Sequence, residues 1–265
     1  MNKKQNRRYI LFLLPGILGL ILFFMVPLGI VIWISFFDDN GMTLHHYKQA
    51  LESKAFQLAL RNTLILILFG IPIILAAGTG AALAFQRLFQ WNVSGTRFLF
   101  LMHLLPMVLP SAVVALLMEI LFPYRRGVAV ACLMIGLYIW RNIPYMLLSG
   151  FLGLRNLPED IRSAAKLDGA GETQLLRYII LPFLRPYLLV GVVLALLGVF
   201  RVFRESFLLF GSYPDQSVYY IQNYMNNLFR SNQYRQLAAV SDLFLIGLSV
   251  LLLAIICIVG KGAEK

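Results

Sequence analysis

Six long apolar runs alternate with polar stretches along the chain, at about 9–37, 60–85, 97–122, 128–153, 186–210 and 237–260. Each exceeds the roughly 20 residues that a helix needs to cross a hydrocarbon core. The pattern predicts an all-α membrane protein with six transmembrane helices, forming a single domain over residues 1–265. Prolines fall inside several runs: Pro15 or Pro27 bends the first, Pro106 and Pro110 bend the third, and Pro144 lies in the fourth. Such prolines are tolerated where neighbouring helices satisfy the freed carbonyls. The first run follows Lys3, Lys4, Arg7 and Arg8. It far exceeds the 7–15-residue apolar core of a signal peptide, and no small-x-small cleavage site ends it, so a retained first span is expected.

Residues 157–182 are the long polar interruption between the fourth and fifth runs. Pro158 suits a first helical turn, and Glu159 and Asp160 suit the positive end of the helix dipole. Ala164, Ala165 and Leu167 continue the helix, and Gly169 and Gly171 break it, because glycine makes non-helical dihedrals cheap. A second short helix is expected from Glu172 to Ile180, stopped at Pro182. The predicted unit is a helix–bend–helix hairpin at a membrane surface. Its small residues let another surface come close.

Composition agrees with the runs: 60% of residues are hydrophobic and 13% charged, against about 25% charged in a soluble domain. The net charge of +11 would suggest nucleic acid in a soluble protein. Here the charges sit at the ends of apolar runs and no nucleic-acid role is implied. Thirteen Lys and Arg fall on the side that holds the N-terminus and the hairpin, and seven on the other. The positive-inside rule therefore places both termini and the hairpin in the cytoplasm. Cys132 and Cys257 lie inside apolar runs and predict no disulfide, and three histidines form no metal-ligand cluster. No cofactor is expected. The sequence has no G-x-x-x-x-G-K-[ST] phosphate loop, no H-E-x-x-H and no G-x-S-x-G. No catalytic residue is predicted, and any ATP-derived energy has to come from another subunit.

Ionisable residues inside the runs mark candidate positions on a translocation path, each costing about 2.5–3.5 kcal/mol at mid-membrane unless paired or hydrated. Arg201, Arg204 and Glu205 lie in the fifth run. Arg201 and Glu205 are four apart and can pair on one helix face. Two roles are open for them: a polar lining that receives substrate, or an ion pair or snorkelling contact near the outer interface. Arg141 and Asn142 in the fourth run offer hydrogen bonds to hydroxyls or a contact between helices. Glu119 and His103 read as interfacial. The outer segment 211–235 carries Tyr213, Tyr219, Tyr220, Tyr224, Phe229 and Tyr234, which suit a membrane interface or stacking on a sugar.

The pattern Ala164-Ala165-x-x-Asp168-Gly169-Ala170, followed by Ile179-x-Leu181-Pro182, resembles the "EAA loop" of permease subunits of binding-protein-dependent ABC importers. The Asp-Gly-Ala continuation resembles the carbohydrate branch. The first run, LLPGILGLILFFMVPLGIVIWISFF, resembles the first helix of its F-type subunits, and LLPMVLPSAVVALLMEILF resembles its third core helix. Asn62-Thr63 also matches the family. The resemblance implies a type I importer fold and ATP-driven alternating access for a sugar or sugar derivative, in the cytoplasmic membrane of a bacterium. It implies a second permease subunit in a heterodimer, two ABC ATPase subunits and an extracytoplasmic solute-binding protein. It assigns Ser163, Ala164, Ala165, Asp168, Gly169 and Ala170 to ATPase coupling. Four departures stand out: Ser163 replaces the family's leading Glu, and residues 123–127 form a very short connection. Phe203-Arg204-Glu205 replaces Phe-Asp-Glu, an extra cation that suits an anionic sugar, and Gly211-Ser212-Tyr213-Pro214 stands where the family has Gly-Gly-Pro. A stand-alone secondary transporter of a small solute is the other reading; it should show repeats between its halves. An intramembrane enzyme would need clustered acids, His or Ser at matching depth.

Overall fold

The computed structural model describes residues 3–39, 41–122 and 127–260. The short connection expected at 123–127 therefore lies, apart from Gly127, outside the described residues. The chain is helical almost throughout. In order come α1 Lys3–Leu20, a π-helical turn Ile21–Met25, α2 Val26–Phe36, a two-residue hairpin of β1 Phe37–Asp38 and β2 Gly41–Met42, and α3 His45–Glu52. Then follow α4 Lys54–Gln90, α5 Thr96–Val108, α6 Ser111–Leu121, α7 Val128–Asn156, α8 Glu159–Leu167 and α9 Glu172–Leu175. A second π turn, Leu176–Ile180, leads into α10 Leu181–Phe210, and a 3-10 turn, α11 Ile221–Arg230 and α12 Tyr234–Gly260 close the chain.

Among the described residues, five helical stretches are long and apolar enough to cross a membrane, and a sixth exists if α5 and α6 count as one span. The third apolar run is thus not one bent helix. Its two halves meet at 98°, across extended backbone at Leu109 (ψ 130°) and Pro110 (ψ 143°). Proline disfavours helical geometry in the residue before it, which puts the break at Leu109. The expected stop at Pro182 is also absent: helix runs continuously from Glu172 to Phe210. In the π turn the Leu181 N–H donates to the Leu176 carbonyl, five residues back. That widened turn gives the Pro182 ring room against the preceding turn. The same device precedes Pro27, where the Val26 N–H donates to Ile21 O. α4 has 37 residues, about 55 Å at 1.5 Å per residue. It outruns a core of about 30 Å and carries its last turns beyond the hydrocarbon.

The chain divides into two compact units. The first joins the described residues up to Phe56 with Met225–Leu248. Within it Tyr47 donates to the buried Asp242 carboxylate at 2.9 Å, and its hydroxyl lies 2.8 Å from that of Ser35. Arg235 holds both Asp38 and Asp39. The second unit joins Gln57–Tyr224 with the described residues from Ser249. Its principal helix pair is α7 with α10. A Cβ on Gly70 would sit 2.4 Å from the Tyr138 ring, and one on Gly198 would sit 2.2 Å from Asn142 Oδ1. Lack of a side chain at these two positions lets α4 and α10 close on α7, the usual use of small residues between membrane helices.

Candidate functional site

Two places in the second unit gather the polar residues singled out by the sequence. The first lies where α5 and α6 part. A helix end leaves carbonyls without intrahelical partners, and in hydrocarbon each such group costs several kcal/mol. Arg141, from the middle of α7, donates through Nη2 to the freed Leu109 carbonyl at 2.7 Å. Its Nη1 donates to Ser111 Oγ at 3.2 Å and pairs with Glu205 of α10. Ser111 in turn donates to Glu205 Oε1 at 2.7 Å. Ser111 is the first residue of α6, so the carboxylate also sits at the positive end of that helix dipole. The two charged side chains are only 8% and 2% exposed. The knot ties three elements together and satisfies the broken span.

This arrangement overturns the expected Arg201–Glu205 pair. Spacing of four permits that contact, but Glu205 turns into the α6–α7 side. Arg201 instead donates to the Tyr145 hydroxyl and, at 2.8 Å, to Asn142 Oδ1. Its guanidinium carbon lies 4.6 Å from the centre of the Tyr145 ring. Asn142 is fixed in turn, its Nδ2 donating to Tyr138 O at 2.7 Å. Arg141, Asn142, Arg201 and Glu205 therefore come together around a closed gap of about 10 Å³, too small for more than a water. Arg204 is not brought in; it is exposed on the outer face of α10. Glu119 is likewise exposed, and His103 Nδ1 donates to Leu99 O at 3.0 Å with its ring against Phe85. Ser111, Tyr145 and Asp242 were missed by the sequence reading. For Ser111 the signal was its place directly after Pro110, and for Asp242 its position as a lone acid in an apolar run.

Asn62 and Thr63 close the opposite end of α4. Asn62 Nδ2 donates to Gln216 O at 2.7 Å and Tyr219 O at 3.1 Å, and Thr63 Oγ1 accepts from the Ile221 N–H at 3.0 Å, capping α11. The aromatic residues nearby divide: Tyr220 and Tyr224 are buried, whereas Tyr213, Phe229 and Tyr234 are exposed.

The second place is the hairpin of α8 and α9. At its tip the Gly169 N–H donates to Lys166 O at 3.1 Å and the Ala170 N–H to Ala165 O at 2.9 Å. These two bonds form a Schellman cap, which needs a left-handed residue at its centre. Gly169 supplies it with φ +83°. α9 starts with the Gly171 N–H donating to Gln174 Oε1 at 2.9 Å. Glu172 meets Arg87 at 3.1 Å and Lys166 at 3.7 Å. Leu175 and Ile180 bury with Ala82, Leu154 and Leu184, and Ala165 packs against that cluster. Both arms are thus anchored while the tip stays open. Ser163, Ala164, Asp168 and Gly169 are exposed, Ala165 and Ala170 half-buried. Leu167 projects furthest, 89% exposed.

Residues 76–261 match the family model described as binding-protein-dependent transport system inner membrane component. A probable ABC transporter permease protein, y4oQ of Sinorhizobium fredii, is 29% identical over 192 residues, 65% of this chain and 60% of that protein. The trehalose/maltose transport system permease protein MalF of Thermococcus litoralis is 23% identical over 260 residues, covering 88% and 87%. A chain of the crystal structure of a bacterial ABC transporter that imports the acidic polysaccharide alginate superposes with a TM-score of 0.72. It has 20% identity and covers 99% of this chain and 97% of its own, a match of fold. With some seven-tenths of its length inside the family model and a full-length match of fold, the chain belongs to the inner-membrane permease components of binding-protein-dependent ABC transport systems.

Proposed function

We propose that this chain forms part of the translocation path of an ATP-driven importer and moves a sugar or sugar derivative across the cytoplasmic membrane by alternating access. Both termini and the hairpin face the cytoplasm in this reading. The carbohydrate assignment is supported by the Asp168-Gly169-Ala170 pattern and by relatives that include a trehalose/maltose permease. The partners are a second, different permease subunit, two ABC ATPase subunits and an extracytoplasmic solute-binding protein.

The observation that carries the reading is the construction of the hairpin. Its tip, with Ser163, Ala164, Leu167, Asp168 and Gly169 exposed, is conformationally fixed by the Gly169 cap, while its second arm is continuous with the span α10. An ATPase that closes on ATP and grips the tip pushes on one end of a rod. The rod carries Arg201 and Glu205 some 45–50 Å further along, at 1.5 Å per residue. Small residues at the tip allow close approach. With Ser163 in place of an acid, the contact relies on shape, on Leu167 and on backbone, in place of an ion pair at that position.

The test is stimulation of ATP hydrolysis by the binding protein in the reconstituted complex. Gly169→Val places a β-branched residue at φ +83°, which costs more than 1 kcal/mol of strain. It should abolish stimulation while the chain still inserts and assembles. Gly169→Asn tolerates the left-handed region and should retain most of it. Full stimulation in the Val variant would remove the hairpin from the coupling route.

A further inference from the structure

We infer that Arg201, with Arg204 one turn-face away, is an anion-recognition station, so that the solute carried is an acidic saccharide. The inference rests on the saccharide reading above and narrows it.

α10 holds three arginines, Arg185 near its start and Arg201 and Arg204 further along, and one acid, Glu205. Glu205 lines the same small gap as Arg201 but is engaged by Arg141 and Ser111. α4 and α7 carry no Asp or Glu, and Glu119 is exposed near the end of α6. Arg201 is therefore a half-buried cation inside a span whose partners are two neutral oxygens, Tyr145 Oη and Asn142 Oδ1. A guanidinium has five N–H donors in a planar fork that fits a carboxylate or phosphate bidentately. Two directions of that fork are used to hold it, leaving the rest for a ligand.

The holding groups are themselves fixed, which separates a built station from a loose side chain. Tyr145 lies under the guanidinium. Asn142 is locked by Tyr138 O and fills the space left by Gly198. An aromatic ring beside a guanidinium matches an acidic pyranose, with its apolar ring face next to its charged group. Arg204 has no hydrogen-bond or ion-pair partner among the described residues, and it interrupts the otherwise apolar exposed face formed by Val190, Leu197, Phe200 and Leu208. Two cations on adjacent turns of one span, neither in an ion pair among the described residues, ask for an anion from outside the chain. That shared chemistry, a carboxylate or phosphate oxygen, can reach them on a sugar or on a lipid headgroup.

The experiment uses the complex as it copurifies, in vesicles, with its own binding protein. Uptake is measured for paired probes of one skeleton: galacturonate and galactose, glucuronate and glucose, oligogalacturonate and maltotriose, glucose 6-phosphate and glucose. Each is run in phosphatidylcholine vesicles with and without phosphatidylglycerol. The expected result is uptake of the acidic member of at least one pair and little of its neutral partner. Arg201→Gln lowers acidic uptake about 10–100-fold, the loss of one charge-assisted bond, mainly by raising KM. Arg201→Lys recovers part of it, Arg61→Gln changes nothing, and the lipid makes no difference. The acid-to-neutral ratio is the deciding readout, because a purely structural role lowers both members alike. Preferred neutral uptake, equal loss on both members, or an arginine effect confined to phosphatidylglycerol vesicles overturns the inference. Failure of every probe overturns the saccharide reading and the inference with it. If Arg201→Gln does not assemble, Arg201→Lys and Arg204→Gln carry the comparison.

Discussion

Arg141 and the Pro110 break account for one another. A cation at the middle of a span costs about 2.5–3.5 kcal/mol, and a broken helix exposes carbonyls that hydrocarbon cannot satisfy. Here the cation answers the Leu109 carbonyl and pairs with Glu205. Removing one partner of a buried pair strands the other, at about 3–5 kcal/mol, whereas removing both for apolar residues is far milder. Arg141→Met and Glu205→Leu should each lower the melting temperature of the purified complex strongly, and the double variant by less than their sum. Additive losses would show that the two do not act as a pair. The sequence made all the participants visible except Ser111, but it misassigned the partners. Spacing along one helix ranks Arg201 first for Glu205, whereas the pairing is decided between helices, which local spacing does not report. The bend of the hairpin was more legible, because Gly169 and the Schellman bonds depend on local backbone alone.

At the scale of elements, apolar length located the spans and proline position misled. Pro27 and Pro182 were expected to bend or end helices, yet each follows a π turn that lets the helix continue. Pro110, by contrast, separates α5 from α6 at 98°. The difference lies in what surrounds the freed carbonyls, a tertiary fact. Continuity through Pro182 matters most for function, since it makes the hairpin's second arm the foot of α10. In the first unit, the hairpin of β1 and β2 is held to α12 by Arg235 on Asp38 and Asp39. Arg235 holds the Asp39 carboxyl below the usual carboxylate range through its hydrogen bond and charge. A depressed pKa means that the stabilisation is present above the ordinary Asp value of about 3.9 and is lost as pH falls through the lower folded value. The pair is exposed, so the effect is small. A melting-temperature difference between wild type and Arg235→Gln should therefore exist at pH 7 and vanish in strong acid. A difference that persists at low pH would mean that Arg235 acts through packing alone.

For the molecule as a whole, surface chemistry describes a subunit. The first span is exposed along much of its length, with Phe23 at 71%. An apolar helix with no protein around it is satisfied by lipid or by a partner's spans. The polar centre encloses about 10 Å³, far below the 300–1,000 Å³ of a small-molecule site, so a sugar needs a partner surface or another conformational state to pass. The proposed alternating access against a second permease would supply both. The hairpin end is similar: its fixed tip leaves Leu167 89% exposed among the described residues.

The central claim is that the hairpin couples this chain to an ATPase. A photo-crosslinking residue placed at Ala170, in the complex within its own membrane, tests it most directly, with the crosslinked partner identified by mass spectrometry. The account predicts a crosslink to a protein carrying the phosphate-loop motif of ABC ATPases, and none to it from the same label placed at Tyr213. A chain that inserts and folds but gives no ATPase crosslink from Ala170, or gives one equally from Tyr213, would contradict it.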